Sequence, residues 1–183
     1  MRKHLFTLMC FILLAVVSGC TTIYKTAVDE RSIGTIASDT KIKTVILKRF
    51  IDDETIKTLD IFAASYDGNV YLVGEYETLR QKNQAVEITR GVEGVKNVTT
   101  YLLLKKKDGP CGTKVNLKLT AKVMGKLIKD KSIWSTNVDV KTVQCNVVLV
   151  GLVGSKEEIK KAVDHAKSVE GAKSVKSFLK AIK

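Results

Sequence analysis

The sequence predicts an α+β protein built from two tandem αββαβ units. Three observations carry that reading: a gapless internal repeat, an alternating apolar hairpin in each copy, and helix-start signals at matching positions. Laid on itself at an offset of 77 residues, the chain superposes Asn69-Val70 on Asn146-Val147 and Leu72-Val73-Gly74 on Leu149-Val150-Gly151. The register continues through Val92-Glu93-Gly94 on Val169-Glu170-Gly171, then Lys96, Val98 and Leu102 on Lys173, Val175 and Leu179. Upstream, Asp53 and Ile56 fall on Asp130 and Ile133. A match that runs without insertion through helix, turn and strand marks a duplicated domain rather than a chance resemblance of apolar strands.

The elements follow in order. Arg2, Lys3 and His4 precede an apolar run from Leu5 to Val17, and Ser18, Gly19 and Cys20 follow it. That run is too short to cross about 30 Å of hydrocarbon at 1.5 Å per residue, so residues 1–19 read as a signal peptide. Val17-Ser18-Gly19-Cys20 resembles the bacterial lipobox, which implies lipidation of Cys20 as the first residue of the mature chain. Acyl chains contribute about 0.8 kcal/mol per buried methylene, and more than one chain is needed for a stable anchor. Thr21 after the cysteine resembles an outer-membrane address. Residues 20–38 carry few apolar groups in any period and are expected to be a lipidated tether and docking segment.

The first domain is expected over 39–107 and the second over 114–183. Ile42, Val45, Ile46 and Phe50 lie on one helical face, and Val115, Leu119, Val123 and Leu127 form the matching row in the second copy. Ile61 and Ala63, matched by Val138 and Val140, alternate with their neighbours and lead through Asp67-Gly68-Asn69 or Gln144-Cys145-Asn146 into a second strand, which makes a β-hairpin. Thr78 with Gln81, and Ser155 with Glu158, are capping boxes that start second helices. Last strands are expected from Val95 to Leu104 and from Lys173 to Ile182. Residues 108–113 are the linker, in the one stretch that joins a charge run to Gly and Pro.

In both copies a glycine closes the second strand and Val-x-Gly-Val/Ala-x-x-Val precedes the third, at Val92 to Val98 and Val169 to Val175. This resembles the BON domain, and the chain resembles the dual BON-domain outer-membrane lipoprotein family over essentially its whole mature length. The resemblance implies, in each domain, a three-stranded mixed sheet packed on two helices. It also implies a non-catalytic lipoprotein, lipid-anchored in the outer membrane and facing the periplasm, that binds anionic phospholipid through the first helix of its second domain and supports envelope integrity. The alternative is a protein-interaction module for an envelope assembly machine or a peptidoglycan-linked complex.

Charge is consistent with the first of these. The formal net charge of +12 falls to +10 without residues 1–19, and residues 114–183 hold 15 lysines against 6 acidic groups. Nucleic acid is the usual partner of such a field, but a signal peptide places it on the wrong side of the inner membrane, which leaves anionic lipid. Lys114, Lys118, Lys122 and Lys126 recur every four residues along the expected helix, with Lys129 beside the last. A lipoprotein of the resembled family carries a tryptophan where this chain has Lys118. Docking is therefore expected to be electrostatic, with Leu117 and Met124 as apolar contacts, while Trp134 packs at the core edge.

No catalytic, metal or cofactor site is expected. His165 lies opposite Ile88 of the first copy and reads as a packed histidine without ligand partners, and Glu157 and Glu158 suit a helix N-terminus. Cys111 and Cys145 are the thiols that remain after signal removal and acylation, in an oxidising compartment. The expected helix and strand between them cover similar lengths, so both cysteines can lie at one end. A disulfide is expected, with two independent thiols as the alternative.

Overall fold

The structure is a computed structural model and describes residues 32–56, 60–106 and 109–182. The expected signal peptide, Cys20 with its expected lipidation and the first part of the expected tether lie outside the described residues. The first unit runs α1 (Ile33–Asp52), β1 (Ile61–Tyr66), β2 (Asn69–Tyr76), α2 (Leu79–Arg90) and β3 (Asn97–Leu104). The second runs α3 (Thr113–Lys129), a 3-10 turn (Ser135–Asn137), β4 (Val138–Val143), β5 (Asn146–Val153), α4 (Lys156–Lys167) and β6 (Ser174–Ala181). Among the described residues no helix is long and apolar enough to cross a membrane.

Helix α1 begins earlier than expected. The Ser32 hydroxyl accepts from the Thr35 amide at 3.1 Å and caps it, so residues 33–38, expected in the docking segment, form the first turns of this helix. The two hairpins are tight two-residue loops. Asp67 and Gly68 (φ 53° and 75°), like Gln144 and Cys145 (φ 50° and 65°), occupy the left-handed region, the conformation that matches the twist of paired strands. In each unit the second strand is central, antiparallel to the first and parallel to the third, with Leu72 opposite Ala63 and Thr100, and Leu149 opposite Val140 and Ser177.

One face of each sheet is covered by its two helices. Ile42, Ile46 and Phe50 of α1 and Ala85 of α2 meet Ile61, Ala63, Val70, Leu72 and Leu102. Leu119, Val123 and Leu127 of α3, with Ala162 and Ala166 of α4, meet Val138, Val140, Val147, Leu149 and Leu179. Val98 and Val175, expected inside, are half-buried near the starts of β3 and β6 and pack against the margins of the two cores, whereas Leu102 and Leu179 farther along the same strands are buried. Val115, expected in the apolar row of the first helix, is 39% exposed and stands in that helix's first turn.

The opposite faces of the two sheets pack on each other. Ala64, Tyr71 and Val73 of the first domain join Val143, Val148 and Val150 of the second in a third apolar cluster. The Tyr71 and Phe178 rings lie 5.7 Å apart, the Tyr66 hydroxyl donates to Asp139 at 2.8 Å, and the Gln144 amide donates to Glu75 and to the Leu104 carbonyl. The strands shared by these clusters make the pair one unit. Truncation of Leu72 or Leu149, both fully buried, to Ala is expected to cost about 2–5 kcal/mol. The two domains should unfold in a single urea transition; two separated transitions would show that the sheet-to-sheet cluster does not couple them.

In each unit one polar residue of the first helix holds the hairpin turn, and the two residues occupy equivalent positions. In the first unit the Asp39 carboxylate, 5% exposed, accepts from the Asp67 and Gly68 amides at 2.8 and 2.9 Å and from the Ser65 hydroxyl. In the second, Asn116 replaces it: its oxygen accepts from the Cys145 amide at 2.9 Å, and its NH₂ donates to the Cys111 carbonyl at 3.2 Å. The same hairpin residue, Cys145, is joined to Cys111 by a disulfide with Cα atoms 5.3 Å apart. The charge of the first clasp is thus exchanged for a covalent bond in the second.

Candidate functional site

The described residues contain no group of three or more His, Cys, Asp or Glu placed to hold a metal ion. The feature that stands out is α3. Its buried stripe is Leu119, Val123 and Leu127, and with 3.6 residues per turn the rest of its circumference falls into two adjoining strips. Lys114, Lys118, Lys122, Lys126 and Lys129 form one, all exposed. Leu117, Met124 and Ile128 form the other, at 65%, 43% and 64% exposure. The apolar strip thus includes Ile128 as well as the two expected contacts; the i, i+7, i+11 spacing carried that signal.

The lysine strip is unneutralised. Among the described residues Lys114, Lys118, Lys122 and Lys129 are in no salt bridge, whereas Lys48, Lys105 and Lys160 elsewhere pair with Asp52, Asp60 and Asp164. Lys126 donates to the Ser168 hydroxyl at 2.8 Å. The first turn of α3 holds no acid and contains Lys114, and its Gly112 cap offers no side chain. Helix N-termini favour anions and hydroxyl or amide caps, so this end forgoes local stabilisation. Helix α4 keeps the ordinary pattern: Ser155 caps it, and Glu157 and Glu158 fill the first turn.

The acid nearest the end of α3 is occupied. Asp130 accepts from the Ser132 hydroxyl at 2.6 Å and lies 2.8 Å from the His165 ring nitrogen. The Ser132 hydroxyl first, then His165, holds its carboxyl well below the usual carboxylate range. His165 is therefore not partnerless, as its surroundings in sequence suggested; its carboxylate comes from 35 residues upstream. Glu158 departs from a closed capping box, since its carboxylate accepts from the Trp134 amide at 3.2 Å rather than from its own cap residue. Gln81, its equivalent, also ties its helix to the preceding loop, through the Ile56 carbonyl. Trp134 is half-buried beside these contacts.

Helix α3 is held firmly at its start. The Cys111–Cys145 bond and the Asn116 clasp fix its first turns to the β4–β5 hairpin, and Thr120 shares a hydroxyl hydrogen bond with Thr142 at 2.9 Å. The arrangement is a rigid basic ridge on a sheet scaffold, suited to contact with an extended surface.

Two αββαβ units, each with a glycine two residues before the end of its second strand rather than closing it as expected, packed sheet to sheet and bearing one unpaired basic helix, define a tandem sheet-and-helix module. A family model of the BON domain matches residues 38–106 and 117–182, and the chain belongs to the BON-domain family. It is 32% identical over 150 residues to the osmotically-inducible protein Y of Escherichia coli, covering 81% of this chain and 75% of that protein. It is 30% identical over 162 residues to the outer membrane lipoprotein DolP of Haemophilus influenzae, covering 88% and 83%. A 21 kDa hemolysin of Actinobacillus pleuropneumoniae is 26% identical over 149 residues, covering 81% and 76%.

Proposed function

We propose that this protein is an envelope lipoprotein of the outer membrane, anchored through Cys20 and facing the periplasm, that docks on anionic phospholipid through α3 and thereby supports envelope integrity. The observation that carries the reading is the lysine strip without acidic partners, set beside an exposed apolar strip on a helix pinned at its start. The lipobox-like sequence and the relative described as an outer membrane lipoprotein support the address. Each lysine held near an anionic surface contributes about 1 kcal/mol, and the attraction decays over a Debye length. An acylated Cys20 would raise the effective concentration of α3 at the bilayer.

The set Lys114→Glu, Lys118→Glu and Lys122→Glu is expected to weaken binding to phosphatidylglycerol vesicles by about two orders of magnitude, since three such contributions are lost. The exposed positions leave the fold intact, which circular dichroism checks. Unchanged vesicle affinity in a folded triple variant would remove α3 from the lipid contact. A Cys20→Ala chain should leave the membrane fraction in high salt without detergent, since only the screened attraction of α3 then holds it; retention through a high-salt wash would refute the anchor.

A further inference from the structure

Met124 and Ile128 do more than project from α3: with the β4 residues Val138 and Val140 they line a groove of about 360 Å³ whose other wall includes Phe62, from β1 of the first domain. Two ammonium groups stand over that ring. Lys141 Nζ is 4.3 Å and Lys43 Nζ 5.5 Å from its centroid, close enough for cation–π attraction. Neither lysine is in a salt bridge among the described residues. Asp139 also lines the groove, and its carboxylate accepts from the Tyr66 hydroxyl at 2.8 Å.

The exposed apolar strip of α3 has the α3 lysines along one side and, across the groove beside Met124 and Ile128, Lys141 and Lys43 with Asp139 on the other; farther along, Asp60, which is paired with Lys105, and Glu75 stand with Leu117 and Lys141. Lysines on both borders of an apolar strip suit an element lying in the plane of a membrane interface, with apolar groups below the headgroups and ammonium groups reaching the phosphates. We infer that the first domain takes part in membrane contact, with Phe62, Lys43 and Lys141 forming the second half of a composite surface for an anionic bilayer. The inference rests on the reading of α3 as the docking helix. A free phosphate would leave the three large apolar side chains in water, so the chemistry favours a bilayer over a soluble anion.

The test uses the tandem pair, residues 21–183, and vesicles of phosphatidylglycerol and phosphatidylcholine in equal parts. Lys43→Gln with Lys141→Gln, and separately Lys118→Gln with Lys122→Gln, should each weaken binding by about 10- to 30-fold, the change that two lysines near an anionic surface represent. Loss in the α3 pair with wild-type affinity in the Lys43 and Lys141 pair would overturn the composite surface and leave α3 docking alone. Wild-type affinity in both pairs would overturn both readings. A second measurement does not depend on removing these lysines. Trp134 is the single tryptophan, so in a Trp134→Phe background the Phe62→Trp and Leu117→Trp variants report depth through quenching by brominated lipid. Quenching at both positions is expected; quenching at 117 alone would overturn the proposal.

Discussion

Replacement of Gly151 by alanine is expected to destabilise the protein by about 3 kcal/mol or more, and Gly74→Ala should do the same in the first domain. An added Cβ would stand 2.0 Å from the Asn137 carbonyl oxygen in one case and from the Asp60 carbonyl oxygen in the other. Both obstacles are backbone, so relief requires the loop entering the sheet to move, which exceeds ordinary overpacking. Gly151 also has φ +152°, which L side chains rarely adopt. The close approach explains why a glycine stands at this point of the second strand in both copies. Gly125, in the middle of α3, has nothing within 4 Å of an added Cβ. Gly125→Ala should therefore stabilise by about 1 kcal/mol through helix propensity alone. Urea denaturation of the three variants checks the opposite signs; a Gly151→Ala protein with wild-type stability would mean that the loop does not lie against the strand.

Loss of the Cys111–Cys145 bond is the second large effect. The cysteines are 34 residues apart, and on the chain-entropy model a loop of that size stabilises by about 3–4 kcal/mol. Cys111→Ser with Cys145→Ser should lose stability on that scale. Cys145 holds φ 65°, a conformation that costs a non-glycine residue about 1–2 kcal/mol. Gly68 stands at the matching position with φ 75°, so Cys111→Ser with Cys145→Gly should recover about 1 kcal/mol of the loss. Non-reducing peptide mass spectrometry should find 111 and 145 linked in protein taken from the cell envelope; two alkylatable thiols would contradict the bond.

Much of this architecture was legible because duplication doubles every signal. Hairpin, capping residues and glycines each occur twice at one offset, so a weak local reading in one copy is supported by the other. The sheet-to-sheet packing was written less plainly. Val70-Tyr71-Leu72-Val73 and Val147-Val148-Leu149-Val150 are apolar at consecutive positions, which alternation alone does not require and which burial of both faces explains. The clasps were harder still. Asp39 and Asn116 are equivalent by the repeat, but an acid and an amide at one position look like surface variation until their hairpin amides are seen. The Phe62 wall of the groove and the His165–Asp130 pair arise from contacts between distant segments, and no period in the chain encodes them.

Contact between the basic ridge of the second domain and anionic lipid is read out by flotation of the unlipidated pair, residues 21–183. With phosphatidylglycerol vesicles at low salt the protein should rise with the lipid, with phosphatidylcholine vesicles it should stay below, and high salt should release it, because the attraction between exposed charges is screened. A protein that floats with neither vesicle, or that floats equally with both and ignores salt, would rule out electrostatic docking through α3.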